Sequence, residues 1–282
     1  MNVEFIRFKA SDDVELQGWL SITDSNTAVI HVHGMSGNGY ENYFLDDLRE
    51  SYTKLNISFF TIDTRGRGII GDFRQRDEWK HAGSCFEIFE ESQYDIQGAI
   101  DYLKSIGKSK FILQGHSLGC TKVVNYIINA NSEEIIKVIL LAPTDMVGWA
   151  KTDQNNSSYI TKAHDLIAND KGEELVSAEC WIDKTPISAQ TYITICEKGS
   201  AADIYGNSEG GAFLGRVSQP MLIIYGDNDI GITQIDGSID AWKARVDSIK
   251  NINTEISIIE GANHGFKGYE DRLSELAERF VQ

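Results

Sequence analysis

Residues Gly115-His116-Ser117-Leu118-Gly119 form a G-x-S-x-G stretch where a strand pattern gives way to a helical one. The apolar run Phe111 to Leu113 precedes it, and Cys120, Val123, Val124, Ile127 and Ile128 follow as a stripe at helical spacing. A serine on so tight a strand-to-helix turn is pushed outward in a strained conformation, and flanking glycines leave room for strand and helix to pack. The helix N-terminus adds a positive dipole end beside the hydroxyl. A hydroxyl is a weak nucleophile near neutral pH, so this chemistry needs a base to remove its proton and a carboxylate to orient that base. His264 is the best placed of the 6 histidines for the base, following the apolar run Ile256 to Ile259 and preceding a C-terminal helical stripe. Asp227 and Asp229 follow the run Met221 to Tyr225, and Asp145 follows Val138 to Ala142. Any of the three can be the carboxylate. Negative charge developing on a carbonyl oxygen calls for two N–H donors, and the Leu118 N–H at the helix start is one.

These residues resemble the α/β-hydrolase superfamily over almost the whole chain. The likeness is greatest to small bacterial and fungal serine esterases, including siderophore-ester-cleaving ones, that carry a His-Gly-Met-x-Gly-Asn loop. Here that loop is His33-Gly34-Met35-Ser36-Gly37-Asn38, directly after the run Ala28 to Val32. The resemblance implies an order of serine, acid, histidine, with Ser117 as nucleophile and His264 as base. It places the acid three residues after a glycine, which selects Asp229, and it makes the Met35 N–H the second oxyanion donor. It also implies hydrolysis of a carboxylic ester of a small or medium-sized soluble compound, with no cofactor. Amide hydrolysis and acyl transfer use the same residues and stay open. A binding protein that keeps the fold without turnover is the rival of another class, and the intact serine, acid and histidine set argues against it.

Other patterns have plainer readings. His31 and His33 alternate on one strand, but no third ligand lies at a metal-site spacing. His116 reads as a packing or hydrogen-bonding residue. Gly66-Arg67-Gly68-Ile69-Ile70-Gly71 fits G-x-G-x-x-G, yet the residues after it lack the amphipathic helix that a phosphate-binding turn requires. The stretch from Asp63 to Gly68 is instead similar to the structural Asp-x-Arg-Gly-x-Gly loop of α/β hydrolases. Cys85, Cys120, Cys180 and Cys196 form no CxxC pair and read as reduced, buried thiols.

Elements able to position this chemistry recur along the chain. Val3 to Phe8 and Val14 to Leu20 read as an edge hairpin; Ala28 to Val32, Ile57 to Ile62, Phe111 to Leu113, Val138 to Ala142, Met221 to Tyr225 and Ile256 to Ile259 read as buried strands. Helical stripes lie between them, one running from Phe44 to Leu55 and another from Ile96 to Leu103 with Gly107 as its stop. This alternation predicts an α/β fold with a mostly parallel sheet flanked by helices. From Met146 to Gln219 the alternation lapses, with a possible helix near Tyr159 to Ala168 and aromatics at Trp149, Tyr159, Trp181, Tyr192, Tyr205 and Phe213. Residues 1–145 and 220–282 are expected to form the core and 146–219 an inserted cap over the strand ends, many of its aromatics forming its own small core.

The 282 residues, 41% of them apolar, suffice for a sizeable core, and 26 basic against 42 acidic residues set the net charge at −16. That field disfavours nucleic acid and anionic membrane surfaces and leaves a small molecule as the expected partner. The apolar runs are too short to cross a bilayer, and the first residues lack a secretory signal pattern, so a cytoplasmic protein is expected. Oligomeric state, monomer or homodimer, has no signal in the sequence.

Overall fold

A computed structural model describes residues 2–130, 133–180, 184–206 and 212–282. The first two strands, β1 (Glu4–Lys9) and β2 (Glu15–Ser21), pair antiparallel as the predicted hairpin. β3 (Thr27–Val32), helix α1 (Phe44–Lys54) and β4 (Ser58–Ile62) follow. Beyond them β5 (Gly71–Gln75) and β6 (Glu78–Ala82) form a separate two-stranded ribbon. Then come α2 (Ser92–Ser105), β7 (Lys110–His116), α3 (Leu118–Ala130) and β8 (Ile135–Leu141). Gly107 has φ +90°, the left-handed stop expected just beyond α2.

Between β8 and the next strand of the main sheet lie α4 (Met146–Thr152), α5 (Asn156–Ala168), β9 (Leu175–Cys180), β10 (Thr185–Ser188) and α6 (Ala189–Cys196). The chain re-enters the sheet at β11 (Met221–Gly226) and continues through α7 (Ile230–Ile235), α8 (Ile239–Ile249), β12 (Thr254–Ile259) and α9 (Glu270–Val281). β5, β6, β9 and β10 were not expected from the sequence. They are short ribbons with one or both faces in water, so charged and polar residues obscure the period that marks a buried strand.

The main sheet has eight strands in the order β1-β2-β4-β3-β7-β8-β11-β12, parallel throughout except where β2 runs against β1 and β4. From β3 the chain steps one way to β4, then crosses back to β7 and continues outward to β8 and β11. Right-handed crossovers in opposite directions put α1 on one face of the sheet and α2 and α3 on the other. The reversal leaves a switch point between the carboxyl ends of β3 and β7, where open α/β sheets form their crevice.

The sheet interior is apolar on both faces. Val29, Ile30, Phe59, Phe60, Leu113, Ile139, Leu140 and Ile223 have no solvent exposure, and each such side chain contributes about 1.5–3 kcal/mol on burial. A second apolar cluster forms outside the sheet. It joins Met146, Ala150, Ala163, Val176, Ile187, Tyr192 and Ile195 of the 146–206 region to Phe89 and Leu118, with Met35 packed against it. All four cysteines are free and buried. No helix among the described residues is long and apolar enough to cross a membrane.

Candidate active site

Ser117 is the residue between β7 and α3, and its φ is +56°, in the left-handed region that a residue with a side chain enters only at a cost. Close packing holds it there. A Cβ on Gly119 would lie 2.1 Å from the Val32 carbonyl oxygen at the end of β3, so the first turn of α3 sits against that strand only because residue 119 lacks a side chain. The Ser117 N–H donates to Leu141 O at 2.9 Å, tying the same turn to β8. Ser117 is only partly exposed, with its hydroxyl at the rim of the sheet.

Two loops from the far half of the chain meet it. His264, beyond β12, lies with Nε2 2.9 Å from Ser117 Oγ and Nδ1 2.6 Å from Asp229 Oδ2. The Asp229 side chain is 1% exposed and that of His264 38%. Asp229 is also the N-cap of α7, where its Oδ1 accepts from the Gly231 N–H at 2.8 Å. An ionised carboxylate has no hydrogen to offer, so Nδ1 carries the imidazole proton, and Nε2 is left with the lone pair that accepts from the Ser117 hydroxyl. Such a line of hydroxyl, neutral imidazole and buried carboxylate can take a proton from the serine and stabilise the resulting imidazolium.

The other two carboxylates are engaged elsewhere. Asp227 accepts from the Gly261 N–H at 2.6 Å. Asp145 caps α4 through Gly148 and pairs with Arg245 at 2.7 Å, and Arg245 also holds Asp236. His116 lies beneath the site. Its Nε2 is 2.9 Å from the His264 carbonyl oxygen, and its ring packs among Phe44, Phe266 and His264. Burial pushes its pKa down to about 3, so it is neutral and donates Nε2–H to that carbonyl, supporting the loop that carries His264.

The loop after β3 approaches from the opposite side. A Cβ on Gly34 would lie 2.8 Å from the Ser117 Cβ, so the backbone comes as near to the serine as atoms allow. His33, fully buried, accepts the Thr64 N–H on Nε2 at 3.0 Å and donates from Nδ1 to the Gly34 carbonyl at 2.7 Å. Burial lowers its pKa to about 4 and keeps it neutral for both roles. Because the peptide is trans, fixing the Gly34 carbonyl turns the Met35 N–H the opposite way. The Leu118 N–H lies in the first turn of α3, where helix geometry provides no acceptor.

His31 is committed too, its Nδ1 accepting from Gln114 Nε2 at 2.7 Å. Among the described residues no group of His, Cys, Asp or Glu is arranged to hold a metal ion. The Gly66 to Gly71 stretch leads into the β5–β6 ribbon rather than a helix. Just before it Arg65, 1% exposed, is held by Asp12, Glu91 and Asp95 at 2.7–2.9 Å. That network pins the loop, and its atoms face carboxylates, not phosphates.

One contact had no sequence signal. Thr144, just after β8, lies with Oγ1 3.0 Å from Ser117 Oγ. Beside His264 an open groove of about 390 Å³ is lined by Tyr43, Asn228, Ile230, Asn263 and Lys267. A larger cleft of about 460 Å³, between β2 and the β5–β6 ribbon, includes none of the residues gathered around Ser117. Trp149 lines a small cavity with Thr144, Asp229 and His264, while Tyr192 is buried in the outer cluster with its hydroxyl on Asn156. Trp181 lies outside the described residues.

A mostly parallel eight-stranded sheet flanked by helices, with a strained serine at the β7–α3 turn, is the α/β-hydrolase fold. The solved structures agree. Est1E from Butyrivibrio proteoclasticus, with ferulic acid bound, superposes with a TM-score of 0.68 at 17% identity, covering 97% of each chain. The α/β hydrolase GrgF from Penicillium sp. sh18 has a TM-score of 0.68 at 15% identity, covering 100% of this chain and 97% of its own. The Pyrococcus furiosus esterase Pf2001 has a TM-score of 0.61 at 14% identity, covering 99% and 89%. At these identities the likeness is one of fold. Residues 83–282 match the family DUF1749, proteins of unknown function, and the chain belongs to that family. No curated protein matches the sequence.

Proposed function

We propose that this protein is a serine hydrolase that cleaves a carboxylic ester of a small or medium-sized soluble compound through an acyl-enzyme. The single observation that carries the reading is the unbroken hydrogen-bonded line from Ser117 Oγ through His264 to Asp229, at 2.9 and 2.6 Å. Ser117 Oγ attacks the ester carbonyl while its proton passes to His264 Nε2. The carbonyl π pair moves onto oxygen, where the N–H groups of Met35 and Leu118 receive the charge; one such donor is worth about 2.7–4 kcal/mol in a measured case. Collapse breaks the bond to the leaving alcohol, which takes the proton from His264. Water then repeats the sequence on the acyl-enzyme, its proton going to His264 and from there to the departing Ser117 oxygen.

Residues 146–219 act in this reading as a cap over the strand ends, and two observations support it. The segment departs from the carboxyl end of β8, and its apolar cluster includes Leu118 and touches Met35, the two residues whose N–H groups are the proposed oxyanion donors. Substrate reaches the serine between this cap and the groove beside His264, and the exposed rings and amides of that groove suit an organic alcohol portion better than a bare hydrocarbon chain.

The test is active-site labelling. An activated fluorophosphonate is expected to label the protein once, at Ser117, and short p-nitrophenyl esters to be turned over. Equal labelling of Ser117→Ala, or absence of both labelling and turnover, would overturn the reading.

A further inference from the structure

We infer that Thr144 is a further catalytic residue of this site, one that donates a hydrogen bond to Ser117 Oγ and accelerates release of the serine oxygen from the acyl-enzyme. The inference rests on the serine-hydrolase reading above. It starts from the direction of one hydrogen bond. The Ser117 hydroxyl has a single hydrogen, and the Nε2 lone pair of His264, oriented by Asp229, takes it. The 3.0 Å contact between Ser117 Oγ and Thr144 Oγ1 must therefore have Thr144 as the donor.

The fold delivers this hydroxyl by construction. Ala142, the first residue after β8, has φ +47°, a left-handed conformation that a residue with a side chain enters only at a cost. The strained turn is clamped at the next residue. The hydroxyl of Tyr225, from β11, donates to the Pro143 carbonyl in a short hydrogen bond, and that of Tyr205, from the inserted segment, donates to the same oxygen at 2.9 Å. Both tyrosines are buried. The Thr144 carbonyl in turn accepts from the Thr121 hydroxyl of α3 at 3.4 Å. Strain tolerated at one residue and two buried phenols spent on the next leave the Thr144 side chain aimed at the nucleophile.

The consequence for the reaction follows from what Ser117 Oγ is at each stage. In the free enzyme it is a hydroxyl oxygen and already a good acceptor. In the acyl-enzyme it is the bridging oxygen of an ester, a poor acceptor. As the tetrahedral intermediate of deacylation collapses, the C–Oγ bond breaks, its electron pair moves onto Oγ, and the proton arrives from His264. The Thr144 hydrogen bond strengthens along that step, starting from a weak state, so it lowers the deacylation barrier more than the acylation barrier. A residue that merely held the serine rotamer would have the opposite signature, slowing acylation most.

Rapid mixing of p-nitrophenyl acetate with wild type, Thr144→Val, Thr144→Ala and Thr144→Ser separates these outcomes, with intact-protein mass after acid quench recording the acyl-enzyme. Thr144→Val and Thr144→Ala are expected to deacylate about tenfold more slowly while acylating within about threefold of wild type, so that acetyl-enzyme accumulates at Ser117. Thr144→Ser is expected to restore deacylation. Fluorophosphonate labelling of each variant checks that its site is intact. Unchanged deacylation in both hydroxyl-free variants, or acylation slowed as much as deacylation, would overturn the inference. If wild type forms no adduct at Ser117, with Ser117→Ala as control, the underlying reading has failed and this one falls with it.

Discussion

The rim of the sheet and the segment that lies outside it are held together by different means. At the rim, loops from distant parts of the chain lock one another by close backbone approach and buried polar groups: Gly119 against Val32, Gly34 against Ser117, His33 on Thr64, His116 on His264. The 146–206 segment packs through one small apolar cluster that it shares with Phe89 and Leu118; of the helix α5, Ala163 is the buried residue. Bond-making chemistry needs atoms held to a fraction of an ångström, and interlocked loops on strand ends provide that. Recognition of a particular compound requires less rigidity and is compatible with a layer held to the rim by one small apolar cluster and a few hydrogen bonds.

The sharpest way to break this contrast is to remove the reacting atom. Ser117→Ala is expected to lower turnover by about a million-fold while leaving the thermal transition close to wild type, since no packing is lost. Residual turnover near wild type would show that the rim does no covalent chemistry. Next in size is Asp229→Asn, expected to cost about 10⁴-fold in kcat because the amide favours the wrong imidazole tautomer. Asp145→Asn is expected to leave kcat within a few-fold and instead to lose about 2–3 kcal/mol of stability through its ion pair with Arg245. A reversal of those two results would move the acid one strand earlier.

Gly119→Ala tests the interlock itself. Its new Cβ meets the Val32 carbonyl at 2.1 Å, so the folded state is expected to lose about 3–4 kcal/mol in chemical denaturation. A smaller contribution separates the regions by pH. The rim buries His33 and His116 as neutral rings, with pKa values lowered to about 4 and about 3, whereas His164 of the outer segment is 54% exposed. Below the ordinary histidine value of 6.5 the unfolded chain binds protons that the folded rim refuses. Stability is therefore fully present above pH 6.5 and falls as pH drops toward 4, by roughly 1.4 kcal/mol per unit for each of these two histidines. Urea titrations across that range should become less steep in His116→Gln, the slope that remains belonging to His33. The smallest effect is expected from Tyr192→Phe, which removes a hydroxyl bonded to Asn156 at 2.8 Å: about 1 kcal/mol of stability and no change in kcat on a short ester. A large fall in kcat there would mean that the cluster around Tyr192, and not only Tyr205, helps hold the rim.

Much of this architecture is written locally. A buried parallel strand must be apolar on both faces and a covering helix must carry a stripe, so β3, β4, β7, β8 and β11, and the helices α1, α2, α3 and α9, stand out in the chain; β12, read as buried from its isoleucines, lies at the sheet edge and is half-buried. The serine was legible for the same reason, because strand, turn and helix around Ser117 are contiguous. The ribbons β5–β6 and β9–β10 were not, since β5, β6 and β9 lie largely in water and β10, though buried, has only four residues and a proline. Which carboxylate meets the imidazole was equally beyond local pattern. Asp145, Asp227 and Asp229 all follow strands, and His264 lies 35 residues from Asp229 and 147 from Ser117. Thr144 carried no mark at all, being a threonine after a proline whose direction depends on a left-handed residue and two tyrosines from separate elements. The sequence by itself determined the elements, because periodicity and turn chemistry act between neighbours. The tertiary structure alone decided the partners, because sheet order and loop packing set distances between residues that the chain keeps far apart.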